Sequence, residues 1–152
     1  MSEKPAFIER CTEINQPGWL DMRVALWPDA TPDEHRGYMA ICLAQPERYL
    51  QLMMYDEKRA AIGFIEGSIR SDYVNGTESS PVGFVEGVYV VPAWRRRGIA
   101  RQLFDAIADW AKARGCHELA SDALLENVGS QRAHLALGFR ETDRVVYFTK
   151  VI

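Results

Sequence analysis

The β-branched run Val88-Tyr89-Val90-Val91, closed by Pro92, leads almost at once into Arg95-Arg96-Arg97-Gly98-Ile99-Ala100. From there Ile99, Leu103, Phe104, Ile107, Trp110 and Ala111 recur at the three- and four-residue spacing of one helix face. A strand that passes through a short turn into an amphipathic helix commits the chain to α/β folding. The helix must pack back onto the sheet, and the strand after it then runs parallel to the first. The turn has a chemistry of its own. N–H groups at a helix N-terminus lack intrahelical partners, and the dipole adds about half a positive charge there. Gly98 lets a ligand approach the backbone and the arginines attract it from a distance, so the turn reads as a seat for an anionic phosphate group.

The rest of the composition narrows the setting. A chain of 152 residues with 47% hydrophobic and 26% charged side chains has the size and balance of one soluble domain. A net charge of −3 argues against nucleic acid as the partner, because a nucleic-acid binder carries a broader basic surface. Cys11, Cys42 and Cys116 are odd in number and lack metal-ligand spacing, so reduced, buried thiols and no metal are expected. Met1-Ser2-Glu3-Lys4-Pro5 lacks the apolar core of a signal peptide, and no apolar run reaches membrane-spanning length. The expectation is a cytoplasmic protein that does not associate with membranes. Without a repeat or a linker, residues 1–152 are read as one domain.

Patterning predicts a short strand over Ala6–Arg10. A helix then follows Pro17-Gly18, with Trp19, Met22, Arg23, Leu26 and Trp27 on one side, and stops at Pro28. A second helix is expected over Asp33–Ala44, with Tyr38, Ile41 and Cys42 as its apolar positions. Tyr49–Tyr55 and Ala60–Ile69 form a hairpin about the charged turn at residues 56–59, and residues 70–81, with Asn75-Gly76 and Ser79-Ser80-Pro81, form a loop. Val82–Val91 is the long central strand, Ile99–Arg114 a helix closed by Gly115, and Glu118–Ser121 a short strand. Asn127–Leu137 is a helix stopped by Gly138, and Val145–Val151 a terminal strand. The order β-α-α-β-β-β-α-β-α-β requires a mixed sheet, antiparallel in the hairpin and parallel across the later βαβ unit.

Two separated elements now carry a resemblance. Arg95-x-x-Gly98-x-Ala100 stands between strand and helix, while Asn127 opens a later helix that Gly138-Phe139 follows. The arrangement resembles the GCN5-related N-acetyltransferases (GNAT) over nearly the whole chain. The implied fold is α/β: a mixed, mostly antiparallel sheet with a central parallel strand pair splayed around acyl-CoA, flanked by helices. The stretches Ser68-Ile69-Arg70-x-Asp72-Tyr73-Val74-Asn75-Gly76, Ser79-Ser80-Pro81-Val82, Glu86-Gly87-Val88-Tyr89-Val90 and Ala120-Ser121-Asp122 are similar to one branch, the aminoglycoside 6′-N-acetyltransferases. Leu26-Trp27-Pro28 and Val145-Val146-Tyr147-Phe148 extend the likeness.

The resemblance implies acetyl-CoA as cosubstrate. Arg96, Arg97, Gly98, Ile99, Ala100 and Arg101 would cradle its pyrophosphate, and Val88, Tyr89 and Val90 would bond the pantetheine arm like an added strand. An N–H of Val88 or Tyr89 would face the thioester oxygen, and Asn127 would contact the cofactor arm. Glu86, immediately before the acyl-binding segment, and Asp122, at the end of the neighbouring parallel strand, are the candidates for contacting the reacting amine. An acid among Phe84, Val85 and Val88 is costly unless it is used. Trp27, Tyr73 and Asp143 join the substrate site by resemblance; related enzymes commonly carry glutamate at the Asp143 position. His134 stands where many members place a tyrosine that protonates the leaving thiolate, and reads either as that proton donor or as a structural residue. His35 and His117 have no evident partner and are expected at the surface. The resemblance also implies a homodimer. An acetyltransferase acting on another amine, and a non-catalytic acyl-CoA-binding module, remain open beside the aminoglycoside reading.

Overall fold

A computed structural model describes residues 6–152; Met1–Pro5, read above as no signal peptide, lie outside them. The chain runs β1 (Phe7–Arg10), α1 (Trp19–Leu26), α2 (Pro32–Ala44), β2 (Tyr49–Tyr55), β3 (Ala61–Arg70) and β4 (Val82–Val90). A single 3₁₀ turn at Pro92–Trp94 leads to α3 (Ile99–Ala113), β5 (Leu119–Ser121) and α4 (Val128–Ala136). The sheet has the order β1-β2-β3-β4-β5, antiparallel except for β4 and β5, which pair in parallel. Among the described residues no helix is long and apolar enough to cross a membrane.

The strands alternate between two cores. Leu50, Leu52 and Met54 of β2 meet Ile99, Leu103, Phe104, Ile107 and Trp110 of α3 on one face. Met53 and Tyr55 meet Trp19 and Met22 of α1 and Met39 of α2 on the other. Each large apolar side chain so buried contributes about 1.5–3 kcal/mol, which is why helices cover both faces of β2 and β3. Thr31 caps α2 by accepting a 3.2 Å hydrogen bond from the Glu34 N–H, and Pro32 occupies the first turn, where its missing N–H costs nothing.

Three expectations need correction. Residues 145–151 form no strand: Val146, Tyr147 and Phe148 are exposed, and the segment has no ladder partner among the described residues. A strand exists only by pairing its N–H and C=O groups with a neighbour, so apolar alternation alone does not make one. The expected parallel pair is β4–β5, with β5 the last of the five strands. On α2 the buried residues are His35, Met39 and Cys42, while Ile41 faces solvent. His35, expected at the surface, is only 2% exposed, because Arg23 and the Trp27 carbonyl satisfy its ring nitrogens. His117 is exposed, and all three cysteines are free and buried.

Candidate active site

The site follows from how β4 is paired. Its ladder with β5 ends at Val85–Ser121, whereas its ladder with β3 continues to Val90. Val88, Tyr89 and Val90 are paired on one side only, with Ile65, Phe64 and Gly63. Their other edge is open to an extended ligand, in the manner of an added strand.

Just beyond this strand lies the basic turn. Arg96 and Gly98 adopt left-handed backbone conformations, with φ of 63° and 77°. At Gly98 this conformation, rather than crowding, calls for glycine, since a Cβ there would meet no atom within 4 Å. The first helical bond of α3 runs from the Gln102 N–H to the Gly98 carbonyl at 3.2 Å. Among the described residues no acceptor takes the N–H groups of Arg96 through Arg101. A row of unpaired donors at the positive end of a fifteen-residue helix fits a pyrophosphate. Arg95 donates to the Val90 carbonyl at 2.9 Å, and Arg101 donates to the Ala136 carbonyl at 2.9 Å, tying α3 to α4. Arg96 and Arg97 stay exposed.

Glu86 occupies an irregularity in β4. Glu66 pairs with Gly87 and Gly67 with Val85, so Glu86 is the extra residue of a β-bulge. Bulges re-aim a side chain, and here the carboxylate turns into a cavity of about 390 Å³ lined by Tyr38, Arg48, Tyr49, Arg70, Asp72 and Tyr73. Ser68 Oγ donates to Glu86 Oε1 at 2.6 Å, and Arg70 Nη2 reaches both carboxylate oxygens at 2.9 and 3.0 Å. The Arg70 guanidinium itself lies 3.6 Å over the Phe84 ring. The acid on an apolar strand is thus satisfied by neighbours on β3. Burial pushes the Tyr38 hydroxyl upward, leaving it a neutral hydrogen-bonding group on the opposite wall.

Trp27, the residue after α1, lays its ring on Gly87; a Cβ on Gly87 would stand 2.4 Å from Trp27 Cζ2. Tyr73 is 78% exposed at the mouth of the cavity, on the 70–81 loop. Glu118 pins that loop, accepting from the N–H groups of Glu78 and Ser79 at 2.9 and 2.8 Å and from the Ser79 hydroxyl. These donors hold its carboxyl below the ordinary 4.5.

The structure therefore places Glu86 and Tyr73 on one cavity, with Trp27 against Gly87 of the same bulge, while the anion turn follows the C-terminal end of β4. Asp122 directly follows Ser121, the last β5 residue paired with β4, and is exposed. Asp143 is exposed on the tail and is not part of the cavity wall. Its neighbour Thr142 packs on Gly76 of the loop, however. Asn127 caps α4, accepting from the Ser130 N–H at 3.0 Å. His134 is held at both nitrogens: Nδ1 lies 2.7 Å from the Ser130 carbonyl and Nε2 2.8 Å from Ser121 Oγ. Its ring packs edge-on against Phe104 and Phe139.

Sequence reading passed over Ser68, Arg70 and Tyr38. Ser68 and Arg70 open the quoted Ser68–Gly76 stretch without being given a role there, and a polar pair on the strand opposite a lone acid is the signal that finds them.

Comparison with known proteins agrees with this layout. The sequence profile of the acetyltransferase (GNAT) family matches residues 8–139. An aminoglycoside N(6′)-acetyltransferase type 1 from Acinetobacter haemolyticus is 48% identical over 153 residues, covering 100% of this chain and 99% of the relative. Another, from Serratia marcescens, is 46% identical over 142 residues, 93% of this chain and 97% of the relative. The crystal structure of AAC(6′)-Ih from Acinetobacter baumannii superposes with a TM-score of 0.92 at 46% identity, covering 97% of this chain and 99% of that one. AAC(6′)-Iy in complex with the bisubstrate analog CoA-S-monomethyl-acetylneamine superposes with a TM-score of 0.91 at 40% identity, covering 98% and 100%. A parallel strand pair whose ladder stops at Val85–Ser121, a row of free N–H donors at the head of α3 and these relatives lead to one assignment: the chain belongs to the acetyltransferase (GNAT) family.

Proposed function

We propose that this chain transfers the acetyl group of acetyl-CoA to the 6′-amine of aminoglycosides, by direct attack of the amine on the thioester. The observation that carries this reading is a single strand, β4, whose bulge turns Glu86 into a polar cavity and whose C-terminal end leads into the unpaired N–H donors of Arg96 to Arg101. The near full-length identity to aminoglycoside N(6′)-acetyltransferases supports the choice of acceptor.

The chain's residues divide the work. Arg96–Arg101 hold the pyrophosphate, the open edge of Val88–Val90 holds the pantetheine arm, and Asn127 stands beside that arm. The N–H of Val88 or Tyr89 polarises the thioester carbonyl, and losing such a donor costs on the order of 100- to 1000-fold in rate. Glu86 and Asp122 bind the ammonium and take up its proton, directly or through water, while Trp27 and Tyr73 cover the sugar faces. Asp143 adds a further anion for a polycationic drug. An alkyl ammonium with a pKa of about 10 is only about one part in a thousand neutral at pH 7, so proton removal is a real part of the barrier. His134 supplies the proton to the leaving thiolate when its Nε2 is protonated; otherwise solvent does.

The protein is a homodimer in this reading, because residues 145–152 expose apolar side chains and the outer edge of β5 is open. A cytoplasmic location, with antibiotic resistance as the consequence, accords with the three free thiols. The test is acetyl-CoA-dependent release of CoA with a panel of aminoglycosides, including kanamycin and tobramycin, with and without a free 6′-amine. Turnover confined to the 6′-amino drugs, with raised resistance in a susceptible host, is expected. Absence of turnover with all of them, or turnover with polyamines or protein amines alone, overturns the acceptor assignment.

A further inference from the structure

Beneath the bulge of β4 lies a buried polar chain that the transfer chemistry does not use. Glu66, 2% exposed, accepts from Trp19 Nε1 at 2.8 Å and from Arg23 Nη1. Arg23 Nε donates to His35 Nδ1 at 3.1 Å, and His35 Nε2 lies 3.1 Å from the Trp27 carbonyl. Because Nδ1 accepts, the ring proton sits on Nε2 and is donated to Trp27, which assigns His35 as a neutral tautomer. The Trp27 N–H in turn donates to the Arg23 carbonyl at 2.8 Å. The Arg23 guanidinium is sandwiched, 4.7 Å from the Trp27 ring centre and 4.8 Å from that of Tyr38.

Stability alone does not account for this arrangement, since a buried ion pair is commonly replaceable by packed apolar side chains at no loss. Direction does. Glu66 is the register partner of Gly87, the residue that follows Glu86 in the bulge and carries the Trp27 ring. The chain of bonds therefore refers the Trp27 and Tyr38 rings to the same point of the sheet that turns Glu86 into the cavity.

We propose that Arg23 and His35 are positioning residues for the acceptor, holding Trp27 and Tyr38 at a fixed setting beside Glu86. The proposal rests on the reading that Trp27 covers a sugar face of the aminoglycoside. His35 is the residue to test, because its loss leaves the Arg23–Glu66 pair intact. His35→Leu is expected to raise the aminoglycoside KM about tenfold, as a small misplacement of a positioning wall does, with the acetyl-CoA KM unchanged. His35→Gln, which can both accept from Arg23 and donate to Trp27, is expected to restore most of the loss. Should His35→Leu not fold, His35→Asn, too short to span both partners, gives the same reading. In a Trp27→Phe background the effect of His35→Leu is expected to shrink to less than about twofold, because coupled residues are not additive. Equal rises in both KM values, an unchanged aminoglycoside KM, or full additivity with Trp27→Phe overturns the proposal. A Trp27→Phe variant with unchanged aminoglycoside KM overturns the underlying reading of Trp27, and is told apart by that single variant.

Discussion

Glu86 can sit on an apolar strand because Ser68 and Arg70, from the neighbouring strand, satisfy its oxygens. The Arg70 charge also has a consequence for the bound amine. A carboxylate beside an ammonium raises its pKa and keeps it protonated, and an adjacent guanidinium offsets that field. Replacing Arg70 with Met should therefore shift the rising limb of kcat against pH by about one unit toward alkaline values. Arg70→Lys should leave the limb near its original position; pH–rate profiles with one 6′-amino drug check both. Glu86→Gln should lower kcat/KM for aminoglycosides by about 100-fold, the range for losing a group engaged in proton transfer. The acetyl-CoA KM should stay unchanged, since the pyrophosphate seat is a separate turn.

Among the elements, the 70–81 loop depends most on pH. Its anchor, Glu118, is held below the ordinary 4.5 chiefly by the Ser79 hydroxyl, then by the Glu78 N–H. A carboxyl depressed in the folded state contributes its full stabilisation above the unfolded pKa and loses it as pH falls through the folded value. Thermal midpoints measured from pH 7 downward should show wild type above Glu118→Gln at neutral pH, with the gap closing as pH falls below the ordinary 4.5 and through the depressed folded value. A gap that persists unchanged at low pH would argue that the loop is held by something else. Helix α3 is the opposite case. Its stripe of Ile99, Leu103, Phe104, Ile107 and Trp110 was readable from spacing alone, because one helix face buried on one sheet face has a single period.

For the whole molecule the decisive feature is residues 145–152. Phe148 is 92% exposed and Val146, Tyr147, Val151 and Ile152 are exposed beside it, an apolar run that a lone chain leaves in water. In the homodimer reading a second copy covers it. Sedimentation equilibrium should give a dimer for the full chain, and a monomer when residues 145–152 are removed. A full chain that sediments as a monomer at micromolar concentration would refute the dimer. Asp143 and Thr142 precede this run, and Thr142 packs on Gly76 of the loop that bears Tyr73. Dimer formation and acceptor binding should therefore weaken together in the truncated chain.

Periodicity, turn residues and the Arg95–Ala100 segment determined, by themselves, the element order from β1 to α4, the parallel β4–β5 crossover and the left-handed turn that opens α3. Each of these is set by near neighbours in the chain: a strand, a left-handed glycine and a helix start lie within a few residues of one another. The acceptor side was legible only in part. Glu86 stood out as an acid among apolar residues, but its bulge depends on the register between β3 and β4, and its partners Ser68 and Arg70 come from another strand. Arg23 lay on the apolar side of its helix and Glu66 inside an apolar run, two charges that each called for a partner. That they find one another, and with His35 and Trp27 form one buried chain, was decided by tertiary packing, because the residues meet across α1, α2 and β3. The terminal run has the converse reason: its alternation is local, but a strand exists only once it pairs, and among the described residues no strand edge takes this run.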